Sequence, residues 1–144
     1  MNVEQVSAAI ERYVDVRMEQ GRDRARERFL AYIYLRHGRD EIMELFRRTR
    51  GLATYYVHYF KFMENPFKGP EFAWLASMLT VAIYGVFMIL DEDMQLPGIC
   101  IVSGSIAHGL ALLKMVAQKW REAGVMAAIY RELVELSDME LQGA

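Results

Sequence analysis

The chain has 144 residues, 53% of them hydrophobic and 25% charged, with a net charge of −2 and a single cysteine, Cys100. This composition excludes a disordered or collagen-like polymer and an internal disulfide, and the slightly acidic balance argues against a general nucleic-acid binder. The mean hydropathy of +0.04 averages two very different kinds of sequence.

The chain opens with Val3, Val6, Ile10 and Tyr13 recurring at three and four residues, with Glu4, Glu11, Arg12 and Asp15 between them. That period predicts an amphipathic helix. Gly21 interrupts it, and a second helix is expected over residues 22–36, with a dense apolar run at 29–35. Residues 37–40 read as a turn, with Asp40 as the N-cap of a third helix. From Glu41 the apolar spacing continues through Ile42, Leu45, Phe46, Thr49, Leu52, Ala53, Tyr56 and Phe60, and Gly51 weakens this helix without ending it. Residues 55–63 are the most aromatic stretch. They suit either ordinary core packing or a segment at headgroup depth. Pro66 and Pro70 then break the chain.

All 11 basic residues before Gly51 are arginines, against 9 acids, and between Gly21 and Arg50 the balance is 9 to 5. Two readings stand side by side: attraction to anionic headgroups, or a solvated face laced with i,i+4 ion pairs.

Residues 72–90, FAWLASMLTVAIYGVFMIL, contain no charge, and neither do residues 94–113, MQLPGICIVSGSIAHGLALL. At ~1.5 Å rise per residue each spans about 28–30 Å, the thickness of a bilayer's hydrocarbon core. Neither alternates apolar with polar at helical period, so each is buried all round, in lipid or in protein. Both lie in mid-chain, unlike a signal peptide. Arg47, Arg48, Arg50, Lys61 and Lys68 precede the first segment, and Lys114, Lys119 and Arg121 follow the second. The connector Asp91-Glu92-Asp93 carries only acids. Basic outer ends around an acidic connector form the positive-inside pattern. The eight basic residues are the candidate lipid-headgroup contacts, with Trp74 and Trp120 near the same boundary. The expected fold is all-α: a two-helix transmembrane hairpin with amphipathic cytoplasmic helices before and after it. Both termini are then cytoplasmic, and the acidic loop lies on the opposite side. Pro97-Gly98 suits the turn and the first positions of the second helix.

The second segment carries two small-residue spacings, Ser105-xxx-Gly109 and Ser103-xxx-Ala107-xxx-Ala111. The first segment offers Ala73 with Ser77 and Ala76 with Thr80. Such residues let membrane helices approach closely. His108 falls within the hydrocarbon span, where an imidazole needs a partner or water. It is either a pore-lining, proton-sensing group or a neutral ring hydrogen-bonded to the neighbouring helix. Ser103, Ser105, His108, Gly109 and Tyr84 are the candidate intramembrane polar, pore or packing residues, and Cys100 reads as a small packing residue.

No metal-ligand spacing, phosphate loop or nucleophile elbow appears, and His37, His58 and His108 are isolated in sequence. The expectation is a non-enzyme with no catalytic, cofactor-binding or metal-binding residues. Clustered Asp91, Glu92 and Asp93 suit Ca²⁺ chemically, but the simpler role is to keep the turn in water.

Beyond the second segment, Val125, Ala128, Ile129, Leu133 and Leu136 form the stripe of a last amphipathic helix. From Glu122 onward there are five acids and one arginine. This acidic tail and the basic N-terminal region are complementary, within one chain or between chains. Three regions follow: residues 1–70, a cytoplasmic or interfacial helical part; 71–114, the transmembrane hairpin; and 115–144, a cytoplasmic helix. The expected function is a small integral membrane protein acting as a homo-oligomer of channel, effector or membrane-remodelling type. Its expected partners are the lipid bilayer, further copies of itself or a membrane protein. The alternatives are an accessory subunit of a larger membrane complex and a soluble helical interaction module with a buried hairpin.

Overall fold

The computed structural model describes residues 3–143. They form five α-helices: α1 (Val3–Gln20), α2 (Arg22–Arg36), α3 (Arg39–Met63), α4 (Pro70–Ile89) and α5 (Gln95–Gly143). A short 3-10 turn, Pro66–Lys68, lies between α3 and α4, and no strand occurs among the described residues. Two helices, α4 and α5, are long and apolar enough to cross a membrane.

The breaks follow local chemistry. Gly21 adopts φ 89°, a conformation that a residue with a Cβ rarely takes, and its carbonyl accepts the first bond of α2 from Ala25. Asp40 is not the N-cap of α3. The helix starts one residue earlier, and the Gly38 carbonyl accepts its first bond from Ile42 at 3.0 Å. Glu41 then reaches back to the Gly38 N–H at 3.4 Å, half of a capping box. Pro66 and Pro70 do more than break the chain. Each occupies the first turn of the helix it opens, where the missing N–H costs nothing. The Asn65 side chain caps the 3-10 turn by accepting from the Phe67 N–H at 3.1 Å.

The chain divides into two compact units. The first comprises Met1–Lys61 with Gly124–Ala144, and the second is Phe62–Ala123. In the first unit α1, α2, α3 and the distal part of α5 enclose one core. Ile33, Leu45, Phe46 and Leu133 are fully buried there, with Ile10 and Tyr13 close behind. Burying each such side chain stabilises the unit by about 1.5–3 kcal/mol. The α1 stripe appears as expected at Val6, Ile10 and Tyr13, whereas Val3 is exposed. Tyr13 meets Phe29 edge-on at 5.5 Å, and Phe29 meets Phe46 at 6.5 Å. The aromatic stretch of α3 splits by helical face. Tyr56 and Phe60 stack on Tyr130 of α5 at 4.9 and 5.6 Å, while Tyr55 and Tyr59 stay exposed.

The acidic tail finds its basic partners within the same chain. Glu132 takes a two-pronged contact from Arg17, at 2.8 Å from Nε and 3.1 Å from Nη2. Arg22 reaches Glu135 at 3.8 Å, and Arg50 reaches Asp138 at 2.8 Å. Tyr34 donates its hydroxyl to Glu140 at 2.6 Å. Four acids of α5 are thus held by groups on α1, α2 and α3. Among the described residues one buried side-chain polar atom has no partner, the hydroxyl of fully buried Thr49.

Candidate functional site

The second unit inverts the usual distribution of residues. In α4 and in the apolar stretch of α5, only 6% of the most apolar window is buried. Leu79, Tyr84, Phe87 and Leu110 are each 62–67% exposed. What is buried is small: Gly85, Gly98 and Ser105.

The less exposed positions follow a repeat. In α4 they include Leu75, Met78, Ala82, Gly85 and Ile89, and in α5 they include Gly98, Val102, Ser105, Gly109, Leu112 and Val116. Steps of three and four alternate throughout, which is the 3.5-residue period of two helices packed along a seam. The tightest approach lies beside the turn at residues 90–94. A Cβ on Gly98 would stand 2.8 Å from the Gly85 carbonyl oxygen and 2.8 Å from the Ile89 nitrogen. A Cβ on Gly85 would stand 2.8–2.9 Å from the side chains of Val102 and Ile101. Only glycine lets the two backbones come this close. At the other end, Lys119 of α5 pairs with Glu71 of α4 at 2.5 Å.

These contacts sort the sequence candidates. Ser105 is buried on the seam, whereas Gly109 shares its register but faces open space, with no atom within 4 Å of where a Cβ would stand. Ser103, His108 and Tyr84 are exposed, so one chain does not gather the five into a shared interior. The small-residue spacings Ala73/Ser77, Ala76/Thr80 and Ser103/Ala107/Ala111 do not form the contact between the two helices, because all of these residues are exposed. Ser77 and Thr80 instead donate to the carbonyls of Ala73 and Ala76, at 2.9 and 3.0 Å, which satisfies each hydroxyl within its own helix. Gly85 was the residue missed. Its signal was a lone glycine in an otherwise bulky apolar stretch, paired with Gly98 across the turn.

The eight candidate headgroup contacts also divide. Arg48 and Arg47 share the Glu44 carboxylate at 2.7 and 3.2 Å. The charge-assisted bond from Arg48 holds that carboxyl below its ordinary pKa. Arg50 is paired with Asp138, and Lys119 with Glu71. Lys68 stands over the Phe62 ring at 4.7 Å. Lys61, Lys114 and Arg121 are exposed.

The Asp91 carboxylate accepts from the Asp93 N–H at 3.3 Å, an ordinary polar turn. Among the described residues no group of three His, Cys, Asp or Glu side chains converges as a metal site. Cys100 is an exposed free thiol. No known protein family, characterised protein or solved structure matches this chain.

Proposed function

We propose that the chain is an integral membrane protein whose α4 and α5 span the bilayer as a hairpin. Both termini then face the cytoplasm, and Asp91, Glu92 and Asp93 lie on the far side. One observation carries this reading: α4 and the apolar stretch of α5 leave most of their large side chains exposed and bury none of them, in a chain that closes a core elsewhere. Uncovered apolar area of this extent is costly in water and costs nothing in lipid. A soluble module would bury such helices instead.

The protein acts as a non-catalytic homo-oligomer of channel, effector or membrane-remodelling type. Exposed His108, Ser103 and Tyr84 support self-association, because an imidazole facing hydrocarbon needs a partner, which a second copy supplies. A second reading, as an accessory subunit of a larger complex, is favoured by the large apolar side chains that the first unit leaves exposed, Leu35 on α2 and Tyr55 and Tyr59 on α3.

The protein is expected to stay in the pellet after a carbonate wash and to need detergent for release. Recovery in the supernatant would eliminate both membrane readings. Native mass measurement in detergent then separates these two membrane readings: a defined homo-oligomer supports self-association, and a monomer supports the accessory role. In liposomes, His108→Leu tests the channel form. An unaltered conductance and pH response would remove His108 from any mechanism.

A further inference from the structure

The two ends of the second unit differ in chemistry. The Glu71–Lys119 pair marks one end and the Gly85–Gly98 approach the other. Beside the first pair stand Trp74, 59% exposed, and Trp120, 50% exposed. Phe62 and Phe67, in the stretch that leads into α4, are also exposed. Aromatic rings left uncovered next to charge, at the mouth of an apolar helix pair, suit the headgroup layer. Their apolar bodies find hydrocarbon there, and the indole N–H finds polar acceptors.

The charge at the same end is directional. Lys119 and Glu71 neutralise one another. Lys68, Lys114 and Arg121 remain, against Glu64 and Glu122. The far end carries Asp91, Glu92 and Asp93 with no cation. The unit therefore presents a net positive charge at its aromatic end and three negative charges at its turn. Lys68 is partly fixed, because its ammonium rests on the Phe62 ring at 4.7 Å. That contact uses one side of the cation and leaves its other protons free to donate. Arg121 adds a planar fork suited to phosphate oxygens.

We propose that this end of the second unit, with Lys68 and Arg121 as donors and Phe62, Trp74 and Trp120 as the apolar frame, binds the phosphate of lipid headgroups and prefers anionic phospholipids. The inference rests on the membrane reading above and adds to it the class of lipid and the residues that select it. The acidic turn works in the same direction, because it repels anionic headgroups from the opposite end.

Trp74 and Trp120 are the chain's only tryptophans, so their fluorescence reports on this end without a label. The full chain is reconstituted in vesicles of phosphatidylcholine and phosphatidylglycerol, with bromine on the acyl chains of one lipid at a time. Quenching is expected to be stronger from bromines near the glycerol than from bromines near the chain terminus. Brominated phosphatidylglycerol is expected to quench as a lipid bound about two- to fivefold more tightly than phosphatidylcholine. That preference should fall towards one in Lys68→Gln/Arg121→Gln, and in about 1 M salt, where the screening length is ~3 Å. Both side chains are exposed, so the double variant keeps its helical circular dichroism. Equal quenching by the two lipids in the unmodified chain would overturn the headgroup site while leaving insertion intact. A preference that survives the double substitution would overturn the assignment of these residues. No quenching by either lipid would overturn the membrane reading itself.

Discussion

In the first unit the residues shut away from solvent are Ile33, Leu45, Phe46 and Leu133, and the surface is held by arginines and carboxylates. In the second unit the buried residues are small, Gly85, Gly98, Ser105 and Ala123, while Leu79, Phe87 and Leu110 face outwards. Both regions are made of helices with a packed seam. They differ in what the remaining faces carry. A helix that is apolar on one stripe hides that stripe from water. A helix that is apolar all round has no stripe to hide, so its contacts are chosen by size, and small residues win because they allow close approach. The contrast teaches that the same backbone geometry answers to two solvents, water for the first unit and, on the proposed reading, lipid for the second.

The contrast can be broken from either side. Phe46→Ala empties the centre of the first core and is expected to cost about 3–5 kcal/mol. Denaturant unfolding followed by circular dichroism should show the first unit melting early while the helical signal of α4 and proximal α5 persists. Loss of both signals in one step would mean that the units do not behave separately. Gly98→Val attacks the other side. The new Cβ meets backbone atoms of Gly85 and Ile89 that cannot swing away, so the expected cost is about 1–3 kcal/mol, or more. It should appear as faster proteolysis of the second unit in detergent, with the first core untouched.

The remaining predictions sharpen the comparison. Arg17 and Glu132 form a part-buried, two-pronged pair between α1 and α5. The hydrogen bond to Glu132 holds the Arg17 guanidinium above its ordinary pKa. A double-mutant cycle with Arg17→Ala and Glu132→Ala should give a coupling of about 1 kcal/mol, given the partial exposure. No coupling would mean that the tail is held by its apolar stripe alone. Thr49→Val replaces the partnerless buried hydroxyl with a methyl of similar shape and should stabilise the first unit by about 1 kcal/mol. A loss of stability would imply that the hydroxyl has a partner in solution.

The smallest effect is at high pH. Burial pushes the Tyr13 and Tyr130 phenols above their ordinary value of 10.0, and the hydrogen bond to Glu140 pushes Tyr34 up. These phenols hold their protons more tightly when folded. Their stabilising contribution is therefore complete below about pH 10 and is lost as pH rises through the folded pKa. Alkaline titration of the first unit should show stability falling above pH 10, and Tyr13→Phe should flatten that fall. An unchanged slope in Tyr13→Phe would remove this phenol from the effect.

The difference in legibility follows the same line. The helices of the first unit are largely legible in the sequence, because amphipathic spacing and the glycines at 21 and 38 are local signals, although Val3, Val125 and Ala128 of the expected stripes are exposed and Ala127 and Tyr130 are buried in their place on α5. The start of α3 is capped at Gly38, two residues before Asp40, since a glycine carbonyl and a returning Glu41 do the capping without a side-chain acceptor at the cap. Sequence leaves headgroup attraction and ion pairing equally open, and the pairing of Arg47 and Arg48 with Glu44 and of Arg50 with Asp138 appears only in three dimensions. Within the apolar segments periodicity is silent, because every face is apolar. The seam depends on which small residues meet across the turn, and the most conspicuous set, Ser103, Ala107 and Ala111, lies outside it.

By itself the sequence determined that the chain is helical, where its helices break, and that two segments have the length and apolarity of a bilayer span. Those properties depend on neighbours within a few residues of each other. Only the tertiary structure decided that the acidic tail closes the core of its own chain, that Gly85 and Gly98 are the point of closest approach, and that His108 and Tyr84 face outwards. Each of these outcomes depends on the rotation of one helix against another, which long-range packing sets and local spacing does not encode.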